Sequence, residues 1–82
     1  MRDVEAVIRK YIVKEIMLKH SESELDYDTP LLERGIISSF AIVELVSFLE
    51  REFGISVSDH EVLPENFRDV KSVAALVRSK AS

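Results

Sequence analysis

The 82-residue chain has no cysteine, no tryptophan, two glycines and two prolines. Without cysteine it forms neither a disulfide nor a thiolate metal site, so the apolar residues must hold it together and any thiol in its chemistry has to be imported. No apolar run approaches the roughly 20 residues needed to cross a bilayer. The segment Met1-Arg-Asp-Val-Glu-Ala-Val lacks the apolar core of a signal peptide, so a soluble, cytoplasmic protein with no membrane contact is expected. Two glycines do not make a phosphate-cradling loop. The acids Glu22, Glu24, Asp26 and Asp28 lack the glycine and terminal glutamate of a calcium loop, so no metal is expected. A chain of this length makes one small domain, residues 1–82, burying only about 60% of the surface its unfolded form exposes.

Charge is unevenly spread. Residues 1–20 sum to +2, residues 21–70 to −9 and residues 71–82 to +3, giving the net −4. An acidic middle argues against nucleic acid as a partner, because phosphate binding needs a basic face. Basic protein surfaces suit it better, since such a region steers encounter with Arg or Lys patches.

The chain is organised around residues 33–54. Gly35 tolerates a turn with positive φ. Ser38 or Ser39 can place a hydroxyl at a helix N-terminus, where amide donors need acceptors, and Gly54 supplies the stop. Between them Ile42, Leu45, Val46, Leu49 and Phe53 recur at three- and four-residue spacing, which makes one face of a helix and therefore core. The polar face centres on Glu44, Ser47 and Arg51, and Phe40 and Phe48 fall beside it. Burial on one side does not require aromatics flanking the wet side, so the pair marks a surface that meets something, or one covered by a neighbouring loop.

Elsewhere the spacing predicts a first amphipathic helix from Arg2 to about Leu18, with Val4, Val7, Ile8, Tyr11, Ile12 and Ile16 on one side. At about 1.5 Å per residue it is long enough to pack along the central helix. Residues 19–37 have no sustained period and read as a long ordered loop that delivers Ser39 to the surface, fastened by Leu25, Leu31, Leu32, Ile36 and Ile37. Pro30 keeps Thr29 extended. Ile55–Asp59 alternates like an extended connector. In Val62–Phe67, Pro64 suits a first turn and Phe67 an anchor, consistent with a short third helix. Ser72 is expected to cap a last helix whose stripe is Val73, Ala74 and Val77, the small alanines allowing close approach. The expected fold is all-α, a small four-helix bundle of three longer helices and one short third helix.

A serine hydrolase would need a base and a group to orient it. The histidine candidates are His20, ending the first helix where it can meet exposed carbonyls, and His60, in an acidic connector. Neither sits in a catalytic motif, so no catalytic residue is assigned and an enzyme is not expected.

The run Asp28-Thr-Pro-Leu-Leu-Glu-Arg-Gly-Ile-Ile-Ser-Ser-Phe-Ala-Ile-Val-Glu-Leu-Val, followed by Leu49-Glu-Arg-Glu-Phe-Gly-Ile, resembles the acyl carrier and peptidyl carrier protein family. Members have a Gly, a few residues, then Asp-Ser-Leu with the serine bearing a phosphopantetheine arm, then a Glu-Leu-Val helix. The resemblance extends through Pro64-Glu-Asn-Phe67 and Val70-Lys-Ser-Val-Ala-Ala-Leu-Val77, and so covers most of the chain. The family's spacing to the glutamate, here Glu44, places Ser39 as the modified residue. Ser38, the competing serine, stands where the family usually has aspartate, and Phe40 where it has leucine. A serine still caps the helix but brings no charge for a cation or for the helix dipole.

The resemblance implies a freestanding carrier, not a catalyst. A phosphopantetheinyl transferase would move the arm from coenzyme A to Ser39, and the arm's thiol would hold an acyl or aminoacyl group as a thioester. Phe40, Val43, Glu44 and Ser47, with Phe67 near the short helix, would meet partners: an acyl- or aminoacyl-activating ligase and downstream biosynthetic enzymes with basic surfaces, the carrier itself being a monomer. Fatty acyl, aminoacyl and aryl cargo are all compatible, with the Gly-Ile-Ile-x-Ser and Pro-Glu-Asn-Phe patterns closer to carriers of specialised biosynthesis. In some members the core also opens to hold an acyl chain. The competing reading is an unmodified scaffold or regulatory module of the same fold, which the serine at position 38 favours.

Overall fold

The computed structural model describes residues 3–16 and 25–81, and among these every regular element is a helix or helical turn. The first, α1, runs Val4–Tyr11. Asp3 caps it, its carboxylate accepting from the Ala6 amide at 3.1 Å, and Glu5 in the first turn suits the helix dipole. The predicted helix continues, but Ile12–Ile16 is wound as a π-helix. Its wider turn keeps Ile12 and Ile16, four residues apart, on the side facing the core, where Ile12 is buried and Ile16 half-buried. The predicted end at Leu18, His20, and the acids Glu22 and Glu24 lie outside the described residues.

The second helix, α2, runs Ser39–Phe53, with Ser38 as its cap and Gly54 at φ 65° as its stop. Ile42, Leu45 and Leu49 are buried, and Val46 and Phe53 pack partly against the same cluster. Beyond Gly54 the chain is extended, with Ile55 and Val57 turned toward the core and Ser56 and Ser58 exposed. Glu50 ties this connector to its helix by accepting from the Val57 amide at 2.9 Å.

Two 3₁₀ turns follow. Asp59–Glu61 was not foreseen; it forms because the Glu61 carboxylate reaches back to the Ser58 amide at 2.9 Å. Lys80 also donates to Glu61 at 2.8 Å, and this bond, aided by the Ser58 amide, holds the carboxyl below its ordinary pKa. The second turn, Pro64–Phe67, is the short third helix expected, with the proline in its first turn and Phe67 fully buried.

The third helix, α3, runs Val70–Ala81. Its cap is not Ser72 but Asp69, whose carboxylate accepts from the Ser72 amide at 2.8 Å, so the helix begins a turn earlier than the apolar stripe suggested. Burial works to raise the Asp69 pKa, but the hydrogen bonds from Ser72 and the charge of Arg68 outweigh it and hold the group below its ordinary value. Val70, Val73, Ala74, Leu76 and Val77 are buried. The backbone of α1 comes near that of α3, and its side chains also meet α2, as expected, where Tyr11 stacks on Phe48. Arg78 of α3 forms a two-pronged pair with Glu5 of α1, at 2.8 and 2.5 Å.

The loop from Leu25 to Ile37 is fastened as its sequence implies. Leu25, Leu31 and Ile37 are buried in the core. Their polar backbone is satisfied by other elements: Arg9 Nε donates to the Leu25 carbonyl at 2.8 Å, the Lys71 amide to Tyr27 at 3.0 Å, and the Leu31 amide to Arg68 at 2.7 Å. Both ends of the chain's fold thus hold the segment that leads to α2.

Candidate functional site

The turn over Leu31–Gly35 closes when the Gly35 amide donates to Leu32 and the Ile36 amide to Leu31, with Gly35 at φ 69°. Ile37 then plugs into the core. Directly after this anchor the chain is extended at Ser38, φ −100° and ψ 172°, and its hydroxyl accepts from the Ala41 amide at 3.2 Å. Ser39 is the next residue, the first of the helix. It is exposed, and its hydroxyl has no hydrogen-bond partner among the described residues. The two serines therefore divide the work, with one oxygen spent on the helix end and the other facing solvent.

The helix end at this point is capped by a neutral side chain. The amides of the first turn point outward, and no acidic residue stands in that turn. From here an exposed face runs along α2. Phe40 is 76% exposed and Val43 64%, with Glu44 and Ser47 exposed beside them. Three- and four-residue spacing puts these four on one side of the helix.

Phe48 does not join that face. Its ring stacks on Tyr11 of α1 with centroids 3.9 Å apart, so α1, not a loop, covers it. Burial, together with Glu44 and Glu15 nearby, pushes the Tyr11 hydroxyl above its ordinary pKa against the opposing charge of Arg51. Phe67 is a correction. It is fully buried, because the short turn that carries it is held to the core by this side chain, and it has no surface to offer a partner. Leu63, 41% exposed just before that turn, was missed by sequence reasoning. A lone leucine beside a proline carries no periodic signal that would have marked it.

His60 is exposed within the first 3₁₀ turn. Among the described residues no three His, Asp or Glu side chains come together in a way that could hold a metal ion. Nor is any described helix long and apolar enough to cross a membrane.

Residues 6–77 match the family described as "Phosphopantetheine attachment site". The chain belongs to this family of carrier proteins. Relatives of this carrier include a probable acyl carrier protein, PigG, of Serratia sp. (strain ATCC 39006), 46% identical over 54 residues, which is 66% of this chain and 62% of PigG. The acyl carrier protein of Buchnera aphidicola subsp. Baizongia pistaciae is 31% identical over 95% of both chains. Aminoacyl carrier protein 2 of Bradyrhizobium diazoefficiens is 30% identical over 80% of this chain and 74% of its own. The match thus spans less than two thirds of PigG and most of the other two. Among solved structures, a chain in the crystal structure of an FAD-dependent dehydrogenase superposes with a TM-score of 0.77 at 33% identity, covering 85% of this chain and 97% of that one.

The cofactor of the family is phosphopantetheine. The start of α2 fits it: a phosphodiester needs an accessible hydroxyl and hydrogen-bond donors for its charge, and an exposed serine beside the outward-pointing amides of a helix N-terminus offers both.

Proposed function

We propose that the protein carries a biosynthetic intermediate as a thioester on a phosphopantetheine arm attached to Ser39, and presents it to partner enzymes without catalysing a reaction itself. The observation that supports Ser39 over Ser38 is the hydrogen bond from the Ala41 amide to the Ser38 hydroxyl. Derivatising Ser38 would disturb the helix cap, worth about 1 kcal/mol. Ser39 has no structural duty to lose.

In this reading the Ser39 oxygen attacks the phosphorus that bears the pantetheine arm in coenzyme A, the pyrophosphate bond breaks, adenosine 3′,5′-bisphosphate leaves, and the serine proton goes to a base that the transferase supplies. Outward-pointing amides at the start of α2 then favour the negative charge of the new phosphodiester. When bound, the cofactor supplies a thiol that this cysteine-free chain lacks. Ile37, packed in the core one residue before the cap, fixes where the tether starts. The tether keeps the carried group at high effective concentration for successive enzymes. Phe40 and Val43 form an apolar centre for docking, and Glu44 provides charge that steers basic surfaces.

Partners would be a phosphopantetheinyl transferase, an acyl- or aminoacyl-activating ligase and downstream enzymes. The solved neighbour from an FAD-dependent dehydrogenase structure adds a flavin-dependent dehydrogenase to the classes worth testing. An acyl carrier and an aminoacyl carrier both stand among the relatives, so both cargo types are candidates.

Intact-mass spectrometry after incubation with coenzyme A and a broad-specificity transferase tests the assignment. The added mass should appear on the wild type and on Ser38→Ala, and should be absent from Ser39→Ala. An unmodified wild type, under conditions that modify a control carrier, would replace the proposal with the scaffold reading that the uncharged residue at position 38 favours.

A further inference from the structure

Among the described residues the interior of this carrier is packed with apolar side chains. Fourteen apolar side chains are each 9% exposed or less, and none of them lines any of the surface clefts of 260–470 Å³. A native core leaves few voids larger than a water molecule, and among the described residues the room for a carried group lies in the clefts on the outside of the bundle. One cleft, of about 290 Å³, lies beside Ser39. The π turn brings Glu15 and Ile16 to it, the loop brings Ile36, and α2 brings Phe40, Ala41 and Glu44. Phe40 is the next residue after Ser39.

Size and charge restrict what fits. The volume is at the bottom of the range for ligand sites, roughly 300–1,000 Å³, which suits a small group and not a long chain. Ile16, Ile36 and Ala41 give it a half-buried apolar wall. Glu15 and Glu44 are exposed carboxylates with no ion-pair partner among the described residues, and both line this one cleft, Glu15 from the π turn and Glu44 from α2. A π turn is rare and recurs at functional sites. Here it occurs at the residues that complete this wall.

We propose that the cleft seats the group carried on this chain's own arm, and that the group it favours is a small aminoacyl unit. Its ammonium pairs with Glu15 and Glu44, and its side chain lies against Ile16, Ile36 and Ala41. This rests on attachment of the arm at Ser39. The tether compensates for the weakness of so small a site, since a short flexible link holds the group at a local concentration of about millimolar. A neutral acyl group of the same length gains only the apolar contact, and a long acyl chain outgrows the cleft.

The test uses isotope-labelled protein loaded by a transferase from coenzyme A itself, from its butyryl thioester and from its 2-aminobutyryl thioester. The last two differ by one ammonium. Intact mass is read first, and an arm missing from Ser39 overturns the carrier reading and this proposal together. With loading complete, amide spectra of the 2-aminobutyryl form should shift Glu15, Ile16, Ile36 and Ala41 relative to the arm alone. The butyryl form should shift them less, and Glu15→Gln or Glu44→Gln should remove the difference while the thermal melt stays that of the wild type. Equal shifts for both cargoes, no shift at these amides, or shifts at Leu45, Leu49 and Val77 in the interior would each overturn the cleft while leaving the arm on Ser39 in place.

Discussion

The two long helices of the second half, α2 and α3, begin in opposite ways. At α3 the cap is Asp69, a carboxylate only 6% exposed, which accepts from the Ser72 amide and lies against Arg68. At α2 the cap is Ser38, neutral and exposed, and the next residue presents a hydroxyl with no partner among the described residues. Both solve the same local problem, the orphan amides of a first turn. One end is closed with charge and buried, and the other is capped by a neutral side chain and open to solvent. The difference separates a helix start that serves the fold from one that is free to receive an anionic group.

The largest effect concerns the open end. Ser39→Ala should abolish addition of the arm in a mass measurement, while denaturant unfolding stays within about 0.5 kcal/mol of the wild type, because an exposed side chain without contacts contributes little. A large loss of stability would break the contrast between the two ends. At the closed end, Asp69→Ala should cost about 2 kcal/mol in the same unfolding experiment, since it removes a cap and leaves a part-buried amide unsatisfied. Arm addition to Asp69→Ala should continue at temperatures where it remains folded.

The caps also differ in their response to acid. The Asp69 pKa is depressed in the folded state, so the unfolded chain binds its proton more readily than the native one. Its stabilising contribution is complete above the unfolded value of about 3.9 and is lost as pH falls through the lower folded value. Comparing wild type with Asp69→Asn from pH 7 down to pH 3, the gap in stability should hold until about pH 4.5 and then narrow. A gap that stays constant to pH 3 would mean that the charge contributes nothing. Ser38→Ala, at the neutral cap, should cost about 1 kcal/mol at every pH in that range and still accept the arm.

What was legible in the sequence follows from how each residue announces itself. The period of Ile42, Leu45 and Leu49 fixed the face of α2, and Gly54 fixed its end, because both signals are local. The extended connector, the buried Phe67 anchor and the loop fastened by Leu25 and Leu31 were legible for the same reason. The cap of α3 was misplaced because Ser72 and Asp69 both suit an N-terminus, and only the depth of Val70 in the core decides between them. Phe67 was given two roles, anchor and contact, that burial makes exclusive. The covering of Phe48 by Tyr11 required a contact 37 positions apart in sequence, and the π turn has no compositional mark. In the site, Ser38 and Ser39 were separable only by the family's spacing. The structure adds a physical distinction, since one hydroxyl is already engaged.

The smallest effect sharpens the contrast most. Ser38→Asp would give α2 the kind of cap that α3 has, placing negative charge on the helix N-terminus. The unmodified protein should gain about 0.3–1 kcal/mol at low ionic strength, and much of that gain should fade in high salt because the site is exposed. A phosphodiester on Ser39 would occupy the same positive region, so the carboxylate and the phosphodiester would then repel each other. In thermal melts of both forms, the gain from Ser38→Asp should therefore be smaller in the arm-bearing protein than in the bare one. An equal gain in the two forms would place the phosphodiester away from the helix end and remove the electrostatic reason for leaving that end open.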